Sequence, residues 1–278
     1  METVISASRR TDMPACFLDR LVGFVRQGYA EVTNPWSGRA SRVELAPETV
    51  HTLVLWSKDF GPFLRRPREF RAYRLYFLFT VNDMPELEPS LPPLARRLDQ
   101  VRELAERYGP ERIGWRFDPV IFRAGGPVEP VETFLRIGEN MARHGVRRSI
   151  FSFLDLYGKV KVRNERFSLG IVDPPGGVKR EYAASLSSAA KGLGMWLESC
   201  SETLGALMGI TPSACINGAL LSRLAGAPAP LGKDPGQRTA CNCTESRDIG
   251  SYSAMPCPHG CLYCYANPVI TEKGRSAR

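Results

Sequence analysis

The run Leu75-Tyr76-Phe77-Leu78-Phe79-Thr80 is short, apolar and rich in aromatic residues. Such a run is too brief for an amphipathic helix and reads as a strand. Similar short runs recur at Val4–Ser8, Thr52–Trp56, Ile113–Phe117, Ser149–Phe153 and Met195–Glu198. Longer segments with helical periodicity lie between them, at Phe17–Gln27, Leu94–Tyr108, Glu132–His144 and Glu181–Lys191. Gly109, Gly145 and Gly192 follow the last three and suit helix C-termini. The insertion Tyr29 to Leu45 predicts a hairpin near Asn34-Pro35, and Gly-rich Pro174–Gly177 a turn.

Strands that alternate with helices pair in parallel, which makes this an α/β chain. About six units fit a partial (β/α)6 TIM-like barrel over residues 1–228, with a doubly wound open sheet as the alternative. Pro- and Gly-rich Ala225 to Gly236 reads as a linker. Beyond it, residues 229–278 hold too few apolar side chains for a core of their own, so they form a cysteine-bearing cap on the barrel.

The chain has 278 residues, 43% of them hydrophobic, enough for one sizeable core. No 18-residue apolar run and no secretory leader occur, so the cytoplasm is the expected location and no membrane partner is expected. In that compartment eight cysteines are thiols or metal ligands rather than disulfides. The net charge of +8 is mostly arginine, as in Arg65, Arg66, Arg68, Arg71 and Arg74. Nucleic acid is one reading of that excess. A solvated basic face is the favoured one, because no aromatic residues interleave the charges as a single-strand groove requires.

Ligands of barrels bind at the carboxyl ends of the strands. Polar residues gather there in this sequence: Ser8, Arg9, Arg10 and Asp12; Lys58 and Asp59; Asn82 and Asp83; Arg116 and Asp118; Asp155; then Glu198, Cys200 and Glu202. Arg9, Arg10 and Arg116 suit bidentate binding of a carboxylate or phosphate. Asp12, Asp118 and Glu198 suit ribose hydroxyls or proton transfer, and Lys58 stands with them. Arg116 and Asp118 read equally well as a structural ion pair. Gln237 and Arg238, with Lys233, either bind a cofactor or anchor the tail. No P-loop, dinucleotide fingerprint, zinc-protease helix or nucleophile elbow is present.

Five of the eight cysteines lie between Cys241 and Cys264. Cys257-Pro-His-Gly-Cys261-Leu-Tyr-Cys264 has the spacing C-x3-C-x2-C. Three thiolates on one loop can hold three irons of a [4Fe–4S] cluster and leave the fourth open. The alternative is a structural zinc site completed by Cys241 and Cys243. His259 either caps the fourth iron or bonds within its own loop. Cys200, Cys215, Cys241 and Cys243 match a second, fully ligated [4Fe–4S] cluster. Against that, Cys200 and Cys215 read as small buried hydrophobes. Cys16, on an apparent helix, reads as core.

The triplet with Tyr263 before its last cysteine resembles the cluster loop of radical S-adenosylmethionine (SAM) enzymes, which normally carry it near the start of the chain. Together with ISASRRTDMPA (Ile5 to Ala15), VLWSKDF (Val54 to Phe60), WRFDPV (Trp115 to Val120) and the tail CNCTESRDIGSY, it resembles a bacterial family of uncharacterised proteins, domain of unknown function 1848. The resemblance implies a barrel, a cluster at Cys257, Cys261 and Cys264, and SAM as the cofactor that it cleaves reductively. It places Tyr263 beside the adenine and implies an electron donor such as flavodoxin or ferredoxin. It names no substrate. Spore photoproduct lyases share the spacing, which makes nucleic-acid repair a second reading. A non-catalytic iron–sulfur or zinc protein is the third. In the barrel reading the last 40 or so residues lie across the strand ends.

Overall fold

The computed structural model describes residues 2–35, 37–202 and 209–270. Its main feature is a parallel sheet of eight strands. Among the described residues the strands in chain order are β1 (Thr3–Ala7), β2 (Tyr29–Thr33), β3 (Ala40–Glu44), β4 (Val50–Ser57), β5 (Leu75–Thr80), β6 (Ile113–Val120), β7 (Phe122–Arg123), β8 (Gly126–Pro127), β9 (Arg148–Phe153), β10 (Ile171–Val172), β11 (Trp196–Ser199), β12 (Thr211–Pro212) and β13 (Arg247–Asp248). The main sheet runs β12-β11-β9-β6-β5-β4-β1-β13. No sheet closes among the described residues. β2 and β3 form the antiparallel hairpin, and β7, β8 and β10 a small separate sheet.

The six runs read from sequence are the six central strands, each within two or three residues of its expected bounds. The two edge strands are short and were not foreseen. β12 has two residues, and β13 comes from the tail and pairs with β1, Ile5 opposite Arg247 and Ser6 opposite Asp248.

The helices are α1 (Met13–Cys16), α2 (Leu18–Gln27), α3 (Gly61–Leu64), α4 (Leu94–Tyr108), α5 (Val131–Arg143), α6 (Gly158–Arg166), α7 (Gly176–Gly192) and α8 (Gly218–Ala225). Gly109 and Gly145 follow α4 and α5 with φ of 92° and 80°, the left-handed side that glycine tolerates. After α7 that position is Gly194, not Gly192. Pro174–Gly177 is not a turn. Pro175 caps α7 and both glycines belong to its first turn.

Strand periodicity divides the core in two. Leu75, Phe77 and Phe79 of β5 face the helices, with Leu53, Leu55, Trp115, Phe117 and Phe151. Against them pack Leu21 and Phe24 of α2, Val101 and Leu104 of α4, Phe134 and Ile137 of α5, and Leu186 of α7. Tyr76 and Leu78 point the other way, with Val4, Val54, Trp56 and Ile150. That second face is covered by Ile216, Leu221 of α8, Ala229, Cys215, Cys241 and Cys243. A third cluster joins Cys261 and Tyr263 to Met84, Leu87, Ile121, Leu169 and Ile171 beyond the strand ends.

Candidate metal centre

Strand ends bring the sites together because all the main strands run in one direction. Asp12 follows β1 and caps α1, accepting from the Ala15 amide at 3.0 Å. It also accepts from Ser57 Oγ at 2.8 Å and the Lys58 amide at 2.8 Å, both just after β4. His259 Nε2 meets its second oxygen at 2.8 Å. His259 is buried, and its partner is the far end of the chain rather than its own loop. Burial opposes a charge on this imidazole, but Asp12 wins and raises its pKa above the ordinary value.

Cys16 ends α1 half-buried, with its sulfur 3.6 Å from His259 Nε2. Its neighbours are therefore polar, and the reading of Cys16 as core is corrected. The neighbouring Cys16 thiol, with His259 nearby and against the opposing effect of burial, holds the Cys257 pKa down to about 6. The donor atoms of Cys16, Cys257 and His259 all lie within 4.8 Å of one another, so this group can hold a metal ion. Four-coordinate zinc with sulfur ligands at about 2.3 Å sets ligand atoms roughly 3.8 Å apart, in the same range.

Cys261 and Cys264 complete the loop on the other side. Burial raises the pKa of both thiols. Cys257 and Cys264 add to the rise at Cys261, and Cys257 to that at Cys264, so the three thiols share one electrostatic neighbourhood. Lys58 opposes the rise at both, and Arg163 at Cys264. The loop is anchored by Leu262, whose amide bonds Leu87 O at 2.9 Å, and by Cys257, whose amide bonds Asn267 O at 3.0 Å.

Tyr263 is buried and donates to Glu88. Lys58 Nζ lies 2.6 Å from Glu88 Oε1 and 5.6 Å from the Tyr263 ring centre. Burial alone would raise the Glu88 pKa, but Lys58, Tyr263 and Arg97 together outweigh it and the net direction is down. Glu88 was missed in the sequence because it lies past a strand end in a Pro-rich stretch with no motif. Only the fold makes it buried. Glu129 is the other hidden acid. Desolvation raises its pKa to about 7, although Asn82 Nδ2 donates to it at 2.7 Å.

The four remaining cysteines also meet. Cys215 Sγ lies 3.8 Å from Cys200 Sγ. The neighbouring Cys215 and Cys241 thiols lower the pKa of Cys243, and the Ile216 amide sits 3.4 Å from its sulfur. Arg9 and Arg116 stand beside this group, within 5.5 and 5.0 Å of the Trp56 ring centre. Burial works against the charge of each. Cys243, Asp248 and Asp234 keep Arg9 above its ordinary pKa, and Asp118, Cys215 and Cys200 do so for Arg116.

Several candidates are already engaged by the protein. Arg116 pairs with Asp118 at 2.5 Å, and Ser152 donates to the same carboxylate. Arg10 reaches Gly250 O at 3.1 Å and stands 3.9 Å from Asp248. Glu198 is gripped by Arg148 at 2.7 and 3.0 Å and accepts from Ser213 at 2.9 Å. Arg238 is exposed and pairs with Asp155 at 2.5 Å, and the Gln237 amide bonds Asp234 O at 3.2 Å. Lys233 Nζ bonds Thr239 O at 2.5 Å. Of the basic run, Arg66 pairs with Asp19 and Arg74 with Glu2.

Among the described residues no helix is long and apolar enough to cross a membrane. No curated protein sequence matches the chain. Among solved structures, a D-hydantoinase crystal structure overlaps 71% of the chain with a TM-score of 0.34 and 10% identity. The chain spans 41% of that protein, and a likeness so slight carries no argument about fold or activity. One family model covers nearly the whole chain, residues 4–266: by that match the protein belongs to the family described as domain of unknown function DUF1848.

Proposed function

We propose that this protein is a radical SAM-type iron–sulfur enzyme acting on a substrate still to be found. The observation that carries the reading is the grouping of Cys257, Cys261 and Cys264 on one shielded loop beyond the carboxyl ends of parallel strands. The donor set fits the group: three thiols, with Lys58 and Arg163 near enough to favour their charged forms. When bound, a [4Fe–4S] cluster with one open iron supplies the electron for reductive cleavage of SAM.

The chain's own residues have separable tasks in this reading. Lys58, Glu88 and Tyr263 fix the loop and keep water from it. Asp12 holds His259 and thereby the start of the loop. Arg9, Arg10 and Arg116 are the cations available for a carboxylate or phosphate, with Asp118 setting the position of Arg116. The open sheet over residues 1–228 is then an incomplete barrel, and residues 229–278 its cap. Electrons come from a small carrier such as flavodoxin or ferredoxin, and of small-molecule and macromolecular substrates nucleic acid is not the favoured one. The engagement of Arg66 and Arg74 by acidic neighbours favours the solvated-face reading of the basic charge.

One observation favours a second reading, a single structural ion held by Cys16, Cys257 and His259, whose donors lie within 4.8 Å of one another. Anaerobic reconstitution of Cys16→Ala and of Cys261→Ala separates the two. In the enzyme reading C16A keeps its loop iron and forms 5′-deoxyadenosine from SAM with dithionite, while C261A does neither. Loss of one equivalent of zinc in C16A, with no SAM cleavage by the wild type, establishes the structural ion instead.

A further inference from the structure

We infer that Arg9, Trp56 and Arg116 form a binding site for an oxyanion of the substrate, a carboxylate or a phosphate. Its place in catalysis rests on the loop chemistry proposed above, while the site itself stands on contacts of its own.

The parallel sheet places the three residues. Trp56 lies near the carboxyl end of β4, Arg116 lies in β6, and Arg9 follows β1. β5 passes between Trp56 and Arg116, with Leu78 in register with the first and Thr80 with the second. The Cζ of Arg9 stands 5.5 Å from the Trp56 ring centre, and that of Arg116 5.0 Å. One indole thus orients two guanidiniums, the side chain best suited to gripping an oxyanion by two parallel hydrogen bonds.

Donors outnumber acceptors here. Trp56 Nε1 and Arg116 Nε are both buried without a hydrogen-bond partner, and Trp56 is only 8% exposed. An indole N–H and a guanidinium N–H can only donate, so the two cannot satisfy each other. Unpaired buried donors are costly, and folded proteins keep few of them. The nearby carboxylates do not fill the need. Asp118 takes Nη2 of Arg116 at 2.5 Å and also accepts from Ser152. Asp234 stands 3.7 Å from Nη2 of Arg9 and accepts from the Gly236 amide at 2.9 Å. Ser246 Oγ accepts from that same Nη2 at 3.1 Å. Oxygen acceptors of the described residues therefore engage only Nη2 of each guanidinium. The missing partner is an acceptor with several lone pairs and negative charge, which an oxyanion supplies.

The site adjoins the cysteine loop. Tyr265, the residue after Cys264, donates to Arg9 O at 2.6 Å. Lys58, two residues past Trp56, has its Nζ 5.6 Å from the Tyr263 ring centre. A molecule held by its anionic end at Arg9 and Arg116 can extend from there toward the loop.

Calorimetric titration of the full chain, isolated anaerobically and without SAM, tests this with inorganic phosphate and with acetate at constant ionic strength. Wild type should bind one equivalent, and the anion that binds more tightly tells a phosphate substrate from a carboxylate one. Trp56→Phe keeps an aromatic ring and removes the indole N–H. Arg116→Lys keeps the charge and removes the fork. Each should weaken binding about tenfold, while the thermal melt in anion-free buffer stays cooperative. Trp196→Phe, at an exposed tryptophan on the amino end of β11, is the control and should bind as wild type does. If W56F fails to fold, R116K carries the test alone. Two results overturn the inference. One is a folded wild type that binds neither anion, which leaves the orphan donors to water. The other is equal affinity in wild type, W56F and R116K, which means an adventitious ion only. Anion binding without SAM cleavage keeps this site and sinks the loop reading, and SAM cleavage without anion binding does the reverse.

Discussion

Single residues decide what each buried group can do, and Glu129 is the plainest case. Loss of hydration raises its pKa from an ordinary 4.5 to about 7, despite donors at Asn82 and the Asp83 amide. Between those two values the folded chain keeps a proton that the unfolded chain has released. Stability therefore falls as pH rises through this window, by up to about 3 kcal/mol. Glu129→Gln cannot ionise, so its stability relative to wild type should improve as pH rises. Urea midpoints at pH 5 and pH 8 measure this, and an equal difference at both would sink the assignment. Glu88 behaves oppositely although it is equally hidden, because Lys58 at 2.6 Å supplies the charge that Glu129 lacks. Cys16 teaches a related lesson: its apolar neighbours in sequence say core, yet its sulfur meets His259 and Cys257.

At the scale of elements, the tail is held by a few close approaches. Asp248 of β13 accepts from Ser6 Oγ at 2.7 Å, Ser8 Oγ at 2.7 Å, the Arg9 amide at 2.8 Å and the Gly250 amide at 2.9 Å. This one side chain ties the last strand to the first. α8 is set by a different contact. A Cβ on Gly218, its first residue, would stand 2.0 Å from Pro230 O, and backbone cannot move aside cheaply. Gly218→Ala should therefore cost about 1–3 kcal/mol by forcing α8 and the segment at Pro230 apart. Gly177→Ala in α7 is the control, since nothing lies within 4 Å of its Cβ position. Chemical denaturation compares the two, and equal midpoints would show that the contact at Pro230 yields.

The whole molecule is a sheet with two different covers, helices on one face and α8 with the cysteine-bearing tail on the other. A chain ending at Pro228 loses Cys241, Cys243, Ala229 and the Asp248 anchor, leaving Trp56 and its neighbours only partly covered, by Cys215, Ile216 and Leu221. It should be insoluble, or melt without cooperativity, and a soluble monomer with a sharp thermal transition would contradict this. The sequence by itself determined the strands and the long helices, because period-two and helical patterns are local and each strand carries its own apolar run. It also determined the C-x3-C-x2-C loop, because spacing is a local property. It implied six repeating units but not whether they close, since closure depends on edge pairing, and β12 and β13 are two-residue strands without a pattern. Only the tertiary structure put Cys16 and His259 together, gave Lys58 its Glu88 and gathered Cys200, Cys215, Cys241 and Cys243. Asp12 and His259 lie 247 residues apart in the chain and 2.8 Å apart in space. No local pattern encodes such a contact, because parallel strands bring distant chain segments to one edge and burial then sets the charge of what meets there.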